Sequence, residues 1–165
     1  MSKELERIVG NLLTEKMLTL GLAESCTGGL AGHRLTNVPG SSTYFLGGIV
    51  AYSNQAKERL LGVSHDTLVE HGAVSAETAL EMARGARQAL GSDLGLSTTG
   101  VAGPGGGMPG KPVGLVYVAL SARDTERVER YVWGSDREGN KALSAEAALA
   151  MLKRYLSGDS SLRSE

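Results

Sequence analysis

One cysteine in 165 residues, Cys26, excludes an internal disulfide framework and a cysteine-based zinc site. Neither sign of charge is in excess: 17 Lys and Arg stand against 18 Asp and Glu, a net charge of -1, so no electrostatic footprint for nucleic acid stands out. No apolar run approaches the length of a membrane span, and Met1-Ser2-Lys3-Glu4 leads into an amphipathic pattern rather than a signal-peptide one. A reducing cytoplasm is the expected home. The three histidines, His33, His65 and His71, fall in different elements without ligand spacing, so no metal site is expected. Internal repeats, linkers and low-complexity runs are missing too. Glycine is the residue in excess, at 23 of 165 against a usual share of roughly 7%. The glycines gather in motifs, which points to turns that approach a ligand. The length is that of a single domain with a proper core, expected over residues 1–158, with 159–165 as a frayed tail.

The apolar positions switch between helical and strand periods. Leu5, Ile8, Val9, Leu12 and Leu13 follow the i, i+3, i+4 rule and predict a helix over about residues 2–17. A strand is expected over 18–23, then a loop around Ser25 and a helix to about residue 36. Asn37-Val38-Pro39-Gly40-Ser41-Ser42 reads as a turn cluster. An apolar strand with a paired-glycine break follows over 44–52, and Asn54 is the expected cap of a helix carrying Lys57, Leu60 and Leu61, closed by Gly62. A long helix over 75–90 turns Ala79, Met82, Ala83, Ala86 and Leu90 inward. Then come a strand over 94–99, a glycine-rich loop over 100–110, two neighbouring strands over 113–120 and 127–133, and a last helix through Leu143, Ala147, Met151 and Leu156 to Gly158. Such alternation predicts an α/β fold, a sheet covered by helices on both faces and made mixed by the late hairpin.

Ligands in open α/β sheets bind outside the carboxyl ends of the parallel strands. Three loops fall at strand ends here: 25–29, 52–57 and 99–107. In the first, Glu24-Ser25-Cys26-Thr27-Gly28-Gly29 runs from a strand into a helix. Ser25 is either a helix cap or a nucleophile with donors for an oxyanion beside it. The convergence of three loops favours the nucleophile. Cys26 is the rival nucleophile or a small buried side chain, and the latter is favoured. Lys57 is either a solvated helix charge or a buried base of lowered pKa, with Tyr52 close enough to share a hydrogen bond with it or with Ser25. No histidine occurs in these loops, so Ser-Lys gains over Ser-His-Asp. The loop 99–107 is either a phosphate-cradling nest or a surface loop. It lacks the Gly-Lys-Ser/Thr ending of a P-loop, so nucleotide triphosphate hydrolysis is not expected.

Six motifs recur in order: ESCTGG at 24–29, PGSS at 39–42, GGIVAYSN at 47–54 with Lys57, HGAVS at 71–75, TGVAGPGG at 99–106 and KPVG at 111–114. Together they resemble the CinA C-terminal domain family, whose members include nicotinamide mononucleotide deamidases. The N-terminal domain of full-length CinA proteins has no counterpart in these residues, so the likeness is to the stand-alone deamidase form. The resemblance implies a three-layer α/β/α sandwich with a mixed, mostly parallel five-stranded sheet. It also implies hydrolysis of nicotinamide mononucleotide to nicotinate mononucleotide and ammonia, in pyridine nucleotide recycling. The family's serine falls on Ser25, its tyrosine on Tyr52 and its lysine on Lys57. Asp136-Arg137 match its pattern, whereas a basic position a few residues on, usually arginine, is Lys141 here.

The expected chemistry is amide hydrolysis through an acyl-enzyme. Lys57 takes the Ser25 proton directly or through Tyr52, and the amides near Cys26 and Thr27 hold the oxyanion. The expected substrate-holding set is Glu24, Gly28, Gly29, Ser41, Ser42, Asn54, Thr99, Gly100, Gly103, Gly105, Gly106 and Arg137. A Cβ at Gly103, Gly105 or Gly106 is expected to obstruct or strain amides aimed at a phosphate. No metal or organic cofactor is needed, and a homo-oligomer, a dimer in preference, is expected. A non-catalytic nucleotide-binding module and an interaction module for DNA uptake or repair are the alternatives; the charge balance lends the second no support.

Overall fold

The computed structural model describes residues 3–158; the tail expected at 159–165 lies outside them. Helix α1 (Glu4–Lys16) buries Val9 and Leu13 on the predicted face and ends at Met17, whose left-handed backbone (φ 54°) turns the chain into the sheet. Strand β1 (Leu20–Glu24) is buried at every position. Helix α2 (Leu30–Thr36) follows, and a 3-10 turn (Ser41–Thr43) leads into β2 (Phe45–Val50). Helix α3 (Asn54–Leu61) is capped by Ser53, whose Oγ accepts from Ala56 N, and not by Asn54 as expected. The serine has the extended backbone that a cap needs, so Asn54 becomes the first helical residue.

A short helix, α4 (His65–His71), stands where the sequence pattern carries no periodicity; only Leu68 of it is buried. Helix α5 (Ala76–Leu90), β3 (Leu94–Gly100), β4 (Leu115–Ser121), β5 (Glu126–Val132) and α6 (Arg137–Leu156) complete the fold. The strands form one five-stranded sheet in the order β2-β1-β3-β4-β5. β1 runs parallel to β2 and β3, and the hairpin β4-β5 adds on antiparallel. The fold is the expected three-layer mixed sandwich.

Helix α5, with α3 and α4 beside it, covers one face, and α1, α2 and α6 cover the other. The larger core lies under α1, α2 and α6, around Leu20, Leu22, Leu96, Val118, Leu149 and Leu152. On the α5 side, small residues bring helix and sheet into direct backbone contact: a Cβ on Gly95 would lie 2.0 Å from the Ala83 carbonyl oxygen. That close seat fixes the height of β3 against the helix layer. Under the α6 layer, Arg34 is buried between Glu6 and Glu146, pairing with both, and so ties α2 to α1 and α6. Removing one member of such a cluster leaves an uncompensated buried charge. No helix among the described residues is long and apolar enough to cross a membrane.

Candidate active site

Because β1, β2 and β3 are mutually parallel, the three loops that follow them emerge on the same edge of the sheet. They enclose a cleft of about 290 Å³ lined by Ser25 and Cys26 from the first loop, Tyr52, Asn54 and Lys57 from the second, and Thr99 to Gly103 with Gly105 and Gly106 from the third. Arg137, at the start of α6, closes one side, and Ala73 and Val74, from the turn before α5, close another. Among the described residues no carboxylate lines this cleft.

Its centre is the contact between Lys57 Nζ and Ser25 Oγ, at 3.0 Å. Lys57 is 1% exposed, one turn into α3, and its amine also reaches the Ala51 carbonyl at 3.0 Å and, at a long 3.5 Å, that of Tyr52. Burial holds its pKa below the ordinary lysine value of 10.5. A neutral amine uses its two N–H groups on the two carbonyls and turns its lone pair to Ser25, which then donates its proton. The carbonyls that follow β2 thus hold the amine against Ser25.

Ser25 caps no helix: the N-cap of α2 is Gly29, without a side-chain bond. Its own amide donates to Thr98 O at 3.0 Å, extending the β1-β3 pairing by one residue. Among the described residues the amides of Cys26 and Thr27 donate to no backbone carbonyl. The cysteine thiol is pushed up to about 12, first by burial and further by the nearby Glu24 carboxylate. It stays protonated at neutral pH, so Cys26 is a small buried side chain.

Glu24 is placed differently from expectation. Its carboxylate accepts from Ala31 N at 2.9 Å and Gly32 N at 3.0 Å, and the Thr27 hydroxyl also donates to it. The first amides of α2 are therefore occupied from inside the protein, and the helix N-terminus is not a free anion site. Glu24 is 2% exposed and ties the turn that carries Ser25 to the start of α2. Thr27 Oγ1 also shares a 2.7 Å hydrogen bond with Thr98 Oγ1.

Tyr52 is 61% exposed, and its hydroxyl accepts from Arg137 Nη2 at 3.0 Å; only its carbonyl approaches Lys57. The exposed ring turns its hydroxyl to Arg137, so the expected hydrogen bond to Ser25 or Lys57 is not formed. Arg137 Nη1 donates to Gly103 O at 2.7 Å, and Asn140, 1% exposed, donates to Ala102 O at 2.9 Å. The first turn of α6 thereby clamps the glycine loop. Asn140, Ala73 and Val74 carry no chemical signature, and the sequence reading gave them no role.

Ser41 and Ser42 lie at the other end of the sheet. Their turn precedes β2, where Tyr44 O accepts from Leu20 N at the start of β1. In a parallel pair the strand starts share one edge and the strand ends the other, so neither serine reaches the cleft of its own chain. Gly28 and Gly29, with φ of 62° and 104°, shape the turn and are not among the residues lining the cleft; a Cβ on Gly28 would lie 3.7 Å from Lys141 Nζ.

In the glycine loop, Thr99 donates to Ala73 O at 2.7 Å, and a Cβ at Gly100 would meet Leu115 O at 2.6 Å. Gly103 and Gly106 have φ of 87° and 90°. Gly105 does not: its φ is ordinary and a Cβ there meets nothing within 4 Å, contrary to the expected obstruction. Among the described residues no cluster of three His, Cys, Asp or Glu could hold a metal ion.

The CinA C-terminal domain family matches residues 2–156. A CinA-like protein of Chlorobaculum tepidum is 57% identical over 150 residues, 88% of this chain and 36% of its own length. One of Citrifermentans bemidjiense is 54% identical over 154 residues, 93% of this chain and 37% of its own. The chain thus spans little more than a third of these relatives. Among solved structures, the competence/damage inducible protein CihA of Agrobacterium tumefaciens is 41% identical, with a TM-score of 0.90 and 94% of each chain covered. A competence-damaged protein (CinA) superfamily protein of Klebsiella pneumoniae is 33% identical with a TM-score of 0.91, covering 94% of this chain and 98% of its own.

Proposed function

The chain belongs to the CinA C-terminal domain family, and from that premise we propose that it is a serine amidohydrolase that converts nicotinamide mononucleotide and water to nicotinate mononucleotide and ammonia. The observation that carries this reading is the 3.0 Å contact between Ser25 Oγ and the buried Lys57 amine. A lysine sealed from water without a carboxylate in its cleft is poised to be neutral, and a neutral amine against a serine hydroxyl is a general base.

Ser25 Oγ attacks the carboxamide carbon as Lys57 takes its proton. The amides of Cys26 and Thr27 receive the negative charge that develops on the amide oxygen. The C–N bond breaks, the Lys57 proton goes to the leaving nitrogen, and ammonia departs from the acyl-Ser25 ester. Lys57 then deprotonates a water that cleaves the ester, and the proton returns to Ser25. The proton path is direct, without Tyr52.

A cleft whose lining carries the Arg137 guanidinium and no carboxylate favours an anionic substrate. Arg137 and the amides of Ala102, Gly103, Gly105 and Gly106 are the groups offered to the phosphate, so binding energy from that end positions the distant carboxamide. Free nicotinamide, lacking that end, should be a poor substrate. Ammonia release measured across nicotinamide mononucleotide, its riboside and free nicotinamide tests this directly. Release from the mononucleotide well above the other two is the expected result; none from any of them overturns the activity.

A further inference from the structure

Thr98 sits one strand away from the turn that carries Ser25 and meets its three leading residues. The register pairs Thr98 of β3 with Glu24 at the end of β1, so the turn begins directly beside it. Its carbonyl accepts from Ser25 N at 3.0 Å. Its hydroxyl lies 2.7 Å from the Thr27 hydroxyl and also beside the Cys26 thiol, whose ionised form it would favour. Thr98 is 1% exposed and is not among the residues lining the cleft. Strand alternation sends the next hydroxyl, that of Thr99, elsewhere, to Ala73 O.

The direction of the threonine pair follows from its neighbour. Thr27 has one hydroxyl proton and gives it to Glu24 Oε1, which also accepts from Ala31 N. Thr98 is therefore the donor to Thr27, whose Oγ1 is gripped from two sides, by the end of β1 and by β3.

That grip bears on what the same turn must offer. A donor for an oxyanion has to stay unpaired until the charge develops. Among the described residues the amides of Cys26 and Thr27 donate to no backbone carbonyl. An amide without a hydrogen bond of its own has nothing along its N–H to hold its aim. The side chain is left to hold it: fixing Thr27 Oγ1 fixes the Cα–Cβ bond, and through it the peptide plane that carries the amide.

We infer that Thr98 is a positioning residue, whose hydroxyl holds the Cys26 and Thr27 amides on the point where the substrate oxygen becomes negative. It acts through Thr27 and touches no substrate atom. Its role has meaning only if Ser25 is acylated, and so rests on the amidohydrolase reading.

Thr98→Val keeps the side-chain shape and the carbonyl that Ser25 N needs, and leaves Thr27 bonded to Glu24. The variant should fold and melt close to the wild type. Its kcat on nicotinamide mononucleotide should fall by about tenfold, less than the roughly hundredfold that loss of a hole donor costs, with KM unchanged. Thr98→Ser returns the hydroxyl and should return kcat. Thionicotinamide mononucleotide, whose sulfur accepts hydrogen bonds weakly, probes the hole itself. The wild type should prefer the oxygen substrate, and Thr98→Val should narrow that preference.

Acetylation by p-nitrophenyl acetate reads the same hole without the mononucleotide. The ester carbon bonds to Ser25 Oγ, p-nitrophenolate leaves with the electron pair, and Lys57 takes the serine proton. The part of this reaction that Ser25→Ala abolishes should slow in Thr98→Val by the same factor as kcat. A wild type that is acetylated at Ser25 but releases no ammonia sinks the substrate reading, and acetylation alone then decides the role of Thr98. Wild-type rates in Thr98→Val overturn that role, as does a raised KM in place of the lowered kcat. So does a loss that Thr98→Ser fails to restore, or an unchanged preference for oxygen over sulfur, since either would mean packing alone. A wild type with no Ser25-dependent acetylation overturns it together with the oxyanion site.

Discussion

Arg137 Nη2 donates to the Tyr52 hydroxyl at 3.0 Å while its Nη1 donates to Gly103 O at 2.7 Å, so the tyrosine hydroxyl helps hold the glycine loop and is turned away from Ser25 and Lys57. Tyr52→Phe deletes one partly exposed hydrogen bond, an effect of about 1 kcal/mol. KM for the mononucleotide should rise by roughly fivefold with kcat little changed. A kcat loss of several orders of magnitude would restore the tyrosine to the proton path.

Ser25→Ala should lower kcat by roughly a thousandfold or more, because a nucleophile and its base act as a unit. Its fold should be kept, since no backbone bond depends on the hydroxyl. Cys26→Ala should leave most of the activity, and thiol-alkylating reagents should react slowly with a thiol whose pKa is pushed up to about 12. Steady-state kinetics and mass spectrometry of alkylated protein separate the two. Rapid inactivation with Cys26 alkylated would replace the serine mechanism by a thiol one.

Lys57 sets the pH dependence. Its folded-state pKa lies below 10.5 because burial disfavours the ammonium. Activity should therefore rise as pH climbs through that depressed pKa, and Lys57→Met should remove both the rise and most of the rate. Lys57→Arg should fail as well, since guanidinium keeps its proton. Stability has the same sign. Between the folded and unfolded pKa values the unfolded chain binds more protons, so the contribution from Lys57 is fully present above the unfolded value and is lost as pH falls through the folded one. Wild type should gain on Lys57→Met in melting temperature as pH increases toward 10.5. A pH-independent difference would mean an unshifted amine.

Glu24→Ala leaves the Ala31 and Gly32 amides without their acceptor inside the protein. A loss of about 2–4 kcal/mol is expected in denaturant unfolding, the range of a buried multiply bonded group. KM should follow the folded fraction instead of showing a specific defect. A stable Glu24→Ala protein with KM alone raised would place the carboxylate on the substrate.

Within the glycine loop, Gly105→Ala should be tolerated in stability, because the added Cβ meets open space. Gly103→Ala should be destabilising: φ is 87° and the Cβ would come within 2.4 Å of Val113 Cγ1. Thermal melts of the two variants distinguish them, and equal melting temperatures would contradict the loop geometry.

Much of the site was legible as residue types in loops. Ser25 and Lys57 fall where strand ends were expected, because apolar runs followed by turn residues mark strand ends, whereas Arg137 was expected only from the family's pattern. Glu24 and Ser42 show the limit. A buried acid next to a serine looks like part of a site, and whether it faces a ligand or two helix amides depends on where α2 starts relative to β1. Ser42 reads as part of the same motif set, and only the parallel sense of β1 and β2 puts it at the far edge. Short α4 was missed because a single buried residue, Leu68, leaves no period to read.

The sequence by itself determined the alternation of helices and strands, the placement of three glycine-bearing loops at strand ends and the family, since hydrophobic period and turn chemistry are local properties. Only the tertiary structure decided which side chains meet. Parallel pairing of β1 with β2 and β3 brings Lys57 to Ser25 across 32 residues, and burial by α3 and α5 then depresses the lysine pKa. Neither effect has a local signature: proximity arises from sheet order, and desolvation from layers that close over the amine.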